Sequence, residues 1–155
     1  MNKPLRGSCL CGKVGIEISE PALMTMACHC RGCQKLTSSA FSLCVSIPTA
    51  GFKATGIEPV VGALHGDTRH LYCPYCKNWL YSLPAGVESF VNVHPTLFDN
   101  IEWLSPFVEV NTAEKLGWAT TTAMHSFKVL PNPKTFRQLV EEFQAATSSR
   151  NAGSI

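Results

Sequence analysis

The chain has 155 residues, 45% of them hydrophobic and 15% charged, with a formal net charge of +2. That length suits one domain with its own core, and the balance excludes a disordered chain. The 13 lysines and arginines form no basic run, which argues against nucleic acid, and no apolar stretch approaches the length that crosses a bilayer.

The segment Met1-Asn2-Lys3-Pro4-Leu5-Arg6-Gly7 has no apolar stretch of signal-peptide length, so a reducing cytoplasm is the expected compartment. Val14, Ile16 and Ile18 alternate with polar or small residues and predict a half-buried strand. Residues 41–47 repeat the pattern, with Phe41, Leu43, Val45 and Ile47 on one face and Cys44 on the other, until Pro48 ends it. Further strands are predicted over 59–62, 79–82, 90–93 and 107–110. Turn signals fall at Thr49-Ala50-Gly51, His65-Gly66-Asp67, Pro84-Ala85-Gly86 and Asp99-Asn100.

One helix is predicted, over about 133–147. Phe136, Leu139, Val140 and Phe143 recur at i, i+3, i+4 and i+7, an apolar stripe that needs a surface to cover. It starts either at Asn132, with Pro133 first in the helix, or at the capping box Thr135-x-x-Gln138. Residues 148–155 are small and polar and read as a flexible tail. With no internal repeat and no linker, residues 1–147 are expected to be a single all-β domain with a C-terminal helix.

The eight cysteines fall in clusters: Cys9-x-Cys11, then Cys28-His29-Cys30-Arg31-Gly32-Cys33, then Cys73-Pro74-Tyr75-Cys76, with Cys44 alone. Structural zinc takes four thiolates in a tetrahedron, and two close pairs make one closed site. The economical partition therefore joins Cys9 and Cys11 to Cys73 and Cys76, tying the start of the chain to a distant hairpin. The middle trio, Cys28, Cys30 and Cys33, then holds a second zinc with one position open, as catalytic zinc requires. Arg31 and Lys35 lie beside it and offset its negative charge. Two other arrangements compete. Disulfides suit an even cysteine count but not a cytoplasmic chain with such tight pairs. Cys44 as a fourth ligand would close the second site and make it purely structural. His29 is not expected to be a ligand, because the cysteines on either side already point at the metal.

These motifs resemble a known family. Gly7-Ser8-Cys9-Leu10-Cys11-Gly12-Lys13-Val14, Cys28-His29-Cys30-Arg31-Gly32-Cys33-Gln34-Lys35 and Tyr72-Cys73-Pro74-Tyr75-Cys76 together resemble the glutathione-dependent formaldehyde-activating enzyme and centromere protein V family, from about Gly7 to Trp118. The resemblance implies an Mss-four-like β-sandwich, a structural zinc at Cys9, Cys11, Cys73 and Cys76, and a catalytic zinc at Cys28, Cys30 and Cys33. It also implies the chemistry: glutathione and formaldehyde combine as S-hydroxymethylglutathione, a carbon–sulfur lyase reaction. On that reading a small-molecule thiol such as glutathione and a small aldehyde are the partners. Arg31 and Lys35 are candidates for the thiol's carboxylates, and His29 is the candidate proton donor, with an idle surface histidine as the competing reading.

The chain departs from the family pattern at four places. Ser38 stands where Thr-Gly-Ser-Ala-Phe has glycine, and Lys77 stands where glycine follows the last cysteine. Glu109 replaces the histidine of Pro-x-x-His, and Gly117 replaces the proline of Lys-x-Pro-Trp, while Pro106, Lys115 and Trp118 are kept. The alternative function is a non-catalytic, zinc-stabilised protein-interaction module. The aromatics Trp79, Tyr81, Trp103 and Trp118 are expected in the core more than around a pocket, with Trp118 singled out by its spacing from Pro106. His94 and His125 belong to no motif.

Overall fold

The computed structural model describes residues 4–99, 101 and 104–152. Trp103, half of the Asp99-Asn100 turn and the end of the tail fall outside the described residues. In chain order the strands are β1 (Leu5–Ser8), β2 (Val14–Ile18), β3 (Met24–Cys28), β4 (Ser42–Pro48), β5 (Phe52–Gly56), β6 (Val60–His65), β7 (Thr68–Tyr72), β8 (Trp79–Leu83), β9 (Phe90–Val93), β10 (Val108–Val110) and β11 (His125–Ser126). The helices are α1 (Arg31–Thr37) and α2 (Pro133–Ala152). The chain is mostly β-sheet with a C-terminal helix, and it divides into two compact units.

The first unit comprises residues 1–21 and 44–104. Its smaller sheet has the order β1-β2-β5, and β4, β9, β8, β7 and β6 follow one another in the larger. All pairings given for these strands are antiparallel. In β2 the expected alternation is exact in burial: Val14, Ile16 and Ile18 are buried and the residues between them are not. They form the core with Val45, Ile47, Leu80, Val91 and Val93. In β4 the expected half-exposed face is absent at Ser46, which is fully buried, its hydroxyl 2.7 Å from Asn92 Oδ1. A buried serine needs such a partner, because an unpaired hydroxyl there would be costly. Trp79 and Tyr81 join this unit's ring contacts, Trp79 with His70, Tyr72 and His94, and Tyr81 with Phe52.

The second unit comprises residues 22–43 and 105–155. Its strands run in the order β11-β10-β3 and pair in parallel, Val110 lying opposite Cys28. The apolar stripe of α2 buries Leu139 and Phe143, the latter in edge contact with Phe107 at 5.4 Å. Asn132 caps the helix: its side-chain oxygen accepts from the Thr135 amide at 2.9 Å, with Pro133 in the first helical position. The capping box at Thr135 is not the start, and the helix runs to Ala152 where the sequence pattern placed its end near 147. The second helix, α1, has no apolar stripe to announce it. Trp118 is 75% exposed and belongs to no core.

Candidate metal centres

In the first unit, Cys9 and Cys11 lie on the turn from β1 to β2, and Cys73 and Cys76 on the turn from β7 to β8. Both turns are knuckles closed by backbone hydrogen bonds: Gly12 N–H donates to Cys9 O at 2.9 Å, and Lys77 N–H to Cys73 O at 3.0 Å. Each needs a left-handed residue after its cysteines, supplied by Gly12 at φ 74° and by Lys77 at φ 60°. A residue that carries a Cβ, as lysine does, is uncommon in that region. Leu10 N–H donates to Asn78 Oδ1 at 3.1 Å and links the two knuckles.

The four sulfurs lie within 4.8 Å of one another, with Cys9 to Cys11 at 3.5 Å and Cys11 to Cys73 at 3.8 Å. Sulfurs held about 2.3 Å from a tetrahedral zinc lie about 3.8 Å apart. These separations fit a metal and are far too long for a sulfur–sulfur bond, which is about 2.05 Å. Val14 N–H points at Cys9 Sγ from 3.3 Å, as backbone amides do toward metal-bound thiolates. Desolvation would raise Cys76, but the amides of Asn78 and Cys11 together with the thiols of Cys73 and Cys11 outweigh it and lower it to about 6. Cys11 is raised to about 11: the Lys13 backbone favours its thiolate, but desolvation and the thiols of Cys9, Cys76 and Cys73 outweigh it.

In the second unit, Cys28 ends β3, Cys30 precedes α1 and Cys33 lies in its first turn. The cluster caps this helix: Cys30 Sγ accepts the Cys33 amide at 3.3 Å in the first turn, a place usually taken by an oxygen. The three sulfurs lie within 4.8 Å of one another, all three cysteines half-buried. Donation from the Cys33 thiol, against burial, holds Cys28 down to about 5, and the same bond pushes Cys33 far up. Burial raises Cys30. Both groups could hold a metal ion; Cys44 belongs to neither, and no cysteine is in a disulfide.

The surroundings of the trio were not legible as a site. Asn111 Nδ2 donates to Cys28 Sγ at 3.3 Å. His29, between two of the cysteines, is completely buried. Its Nε2 lies 3.0 Å from Glu109 Oε2, and its Nδ1 has no partner. Lys115 Nζ at 2.8 Å and Thr121 Oγ1 at 2.8 Å bind the same carboxylate oxygen. Burial alone would raise Glu109; the hydrogen bonds from Lys115, Thr121, Ser126 and His29 overcome it and lower the carboxyl to about 2. His29 is therefore not a surface histidine, and Glu109, where the family pattern has histidine, closes a buried ion-paired network. Arg31 and Lys35 are exposed on α1. Arg31 donates from its backbone to Glu114 Oε2 at 2.7 Å and from its guanidinium to Gln34 Oε1 at 2.5 Å. Gln34 in turn donates to His29 O at 2.6 Å and Glu114 O at 2.9 Å. The single signal in the sequence was the Glu109 departure, because the partners of the trio lie some 80 positions away.

The family model of the glutathione-dependent formaldehyde-activating enzyme matches residues 4–114. The chain belongs to this family. The match takes in both cysteine groups and Asn111, and stops short of Lys115 and Thr121. A crystal structure of a Rhodobacter sphaeroides protein is similar at a TM-score of 0.53 and 14% identity, covering 63% of this chain and 91% of the other. Identity that low shows shared fold alone. None of the curated proteins compared with the chain matches it. Family membership links the chain to glutathione and formaldehyde chemistry, and no described helix is long and apolar enough to cross a membrane.

Proposed function

We propose that the chain is a cytoplasmic, zinc-dependent carbon–sulfur lyase that joins a glutathione-like thiol to a small aldehyde and splits the adduct. The observation that carries this reading is the count of sulfurs: four converge in one group and three in the other. Four sulfurs complete a structural zinc, and three leave room for one more ligand. Zinc supplies a Lewis acid that favours thiolate over thiol at neutral pH. On this reading Cys9, Cys11, Cys73 and Cys76 staple an Mss-four-like sandwich within a single domain, and Cys28, Cys30 and Cys33 hold the catalytic metal.

The reaction is an addition. The thiol sulfur forms a bond to the carbonyl carbon, the carbon–oxygen π pair moves to oxygen, and the thiol proton ends there; nothing is oxidised. On this reading Arg31 and Lys35 take the carboxylates of the thiol; both are exposed on α1, and the Arg31 guanidinium donates to Gln34 Oε1 at 2.5 Å. His29 has no exposed surface and spends Nε2 on Glu109. Its role is to anchor the Cys28–Cys30 knuckle; the donor of the proton must reach the carbonyl, which a fully buried ring does not.

The test is NMR exchange spectroscopy of glutathione with formaldehyde, alongside zinc analysis. The wild type should accelerate adduct exchange, and Cys30→Ser should lose that acceleration together with one of two zincs. Acceleration retained by Cys30→Ser sinks the mechanism. No acceleration with any thiol in a protein loaded with two zincs supports the binding-module alternative.

A further inference from the structure

Asn111 lies immediately after β10, at φ 55° and ψ 37°. That left-handed conformation is costly for most side chains and is tolerated chiefly by glycine, asparagine and aspartate. Asparagine at a helix start ordinarily caps it with its own side chain. Here the side chain makes no cap to the turn that follows, Thr112–Glu114, and is spent on sulfur instead. The amide nitrogen must be the atom that faces Cys28, since only the NH2 end can donate to a thiolate.

The backbone around it is held firmly. Val110 lies opposite Cys28 in the β3–β10 ladder, and His29 N–H donates to Val110 O at 3.0 Å. Two residues before Asn111, Glu109 is fixed by His29, Lys115 and Thr121. Three residues after it, Glu114 receives the Arg31 amide and the Gln34 side chain. The segment 109–115 is thus bound on both sides of Asn111 to residues interleaved with the three cysteines.

We propose that Asn111 is a positioning and tuning residue of the three-cysteine centre, its amide orienting Cys28 Sγ and withdrawing charge from that thiolate alone. The inference rests on the reading of Cys28, Cys30 and Cys33 as ligands of one metal. A hydrogen bond to a ligand sulfur stabilises its lone pairs. Cys30 Sγ has its own donor, the Cys33 amide at 3.3 Å, so the Asn111 amide sets the charge on Cys28 without acting on the other two sulfurs. Partners of this kind orient ligands and set metal affinity, and their loss typically costs about 10–100-fold in retention.

Two substitutions separate the hydrogen bond from the fold. Asn111→Gly keeps the left-handed backbone and removes the amide; Asn111→Asp keeps the shape and replaces the donor with an acceptor. The full chain is loaded with cobalt(II), and the sulfur-to-cobalt charge-transfer bands are read before and after a chelator strips the more labile site. The four-cysteine group serves as internal control. For Asn111→Gly the bands of the labile site should move to lower energy, and its cobalt should leave about tenfold faster. Asn111→Asp should lose cobalt faster still, and the control bands should stay in place in both. Labile-site bands and release rates equal to wild type in both variants overturn the proposal while leaving the metal reading intact. A wild type in which only one site takes up cobalt overturns both. A misfolded Asn111→Gly would disturb the control bands as well, and Asn111→Asp then decides.

Discussion

The two cysteine groups use one residue type for opposite ends. The four-cysteine group joins turns more than sixty positions apart, and two of its members, Cys9 at 2% exposure and Cys73 at 0%, are sealed in the core. The donors to its sulfurs are backbone amides such as that of Val14, and one side chain, Asn78, links its two knuckles. The three-cysteine group is assembled within six residues, all three of intermediate exposure; the Asn111 side chain donates to Cys28, and a network of His29, Glu109, Lys115 and Gln34 side chains holds the segment that carries the cysteines. A site that only holds the fold together can leave its surroundings to the main chain. A site that must keep three ligands in order while a position stays open needs polar side chains to fix them.

The largest effect should come from breaking the first group. Cys73→Ser removes a fully buried ligand, and structural zinc in small domains contributes roughly 10 kcal/mol or more to folding. That matches or exceeds the whole stability of about 5–15 kcal/mol expected of such a chain. The variant should show no cooperative melt by circular dichroism, with or without added zinc. A melt like that of the wild type would remove the distinction between the groups.

Cys28→Ser should act the other way round. It should lose one metal equivalent and the adduct-exchange activity, at least about a hundredfold, while the melting temperature falls by no more than a few degrees. Equal destabilisation by Cys28→Ser and Cys73→Ser would make the second group structural too.

Glu109 comes next. Glu109→Ala leaves the buried His29 ring and the Lys115 ammonium without their carboxylate, a change that typically costs about 3 kcal/mol. The pH dependence has a definite sign. Its carboxyl is lowered from 4.5 to about 2, so its contribution is fully present above about 4.5 and is lost as pH falls toward 2. Acid unfolding of the wild type should therefore carry a component of order 3 kcal/mol across that window that Glu109→Gln lacks. Parallel stability–pH curves for the two proteins would contradict the buried network.

The smallest effect concerns the two departures from family glycines, one beside each group. Lys77 sits at φ 60° and Ser38 at φ 50°, both left-handed. Lys77→Gly and Ser38→Gly should each stabilise the chain by up to about 1 kcal/mol, the relief of strain being partly offset by glycine's unfolded-state entropy. Urea midpoints will show it. A loss of stability at Lys77 would mean that its ammonium contact with Pro74 O at 2.6 Å outweighs the strain.

Much of the frame was readable because it follows from local chemistry. The period-two run from Val14 to Ile18 and the 3.6-residue stripe from Phe136 to Phe143 each oblige the chain to bury one face. Ser46 and α1 were not readable. A serine's burial depends on which partner the neighbouring strand offers, and α1 is capped by a cysteine sulfur and carries no apolar stripe. His29 invited a role as proton donor because its neighbours in sequence are cysteines; its neighbour in space is Glu109.

By itself the sequence determined which cysteines group together, that strands dominate, and that a helix closes the chain, because spacing and periodicity act over a few residues; which of its two capping signals starts that helix was settled by the Asn132 side chain. Only the tertiary structure decided what surrounds each group of sulfurs. Asn111, Glu109 and Lys115 meet the Cys28–Cys33 segment through the β3–β10 pairing, and no local pattern encodes a partner some 80 residues away.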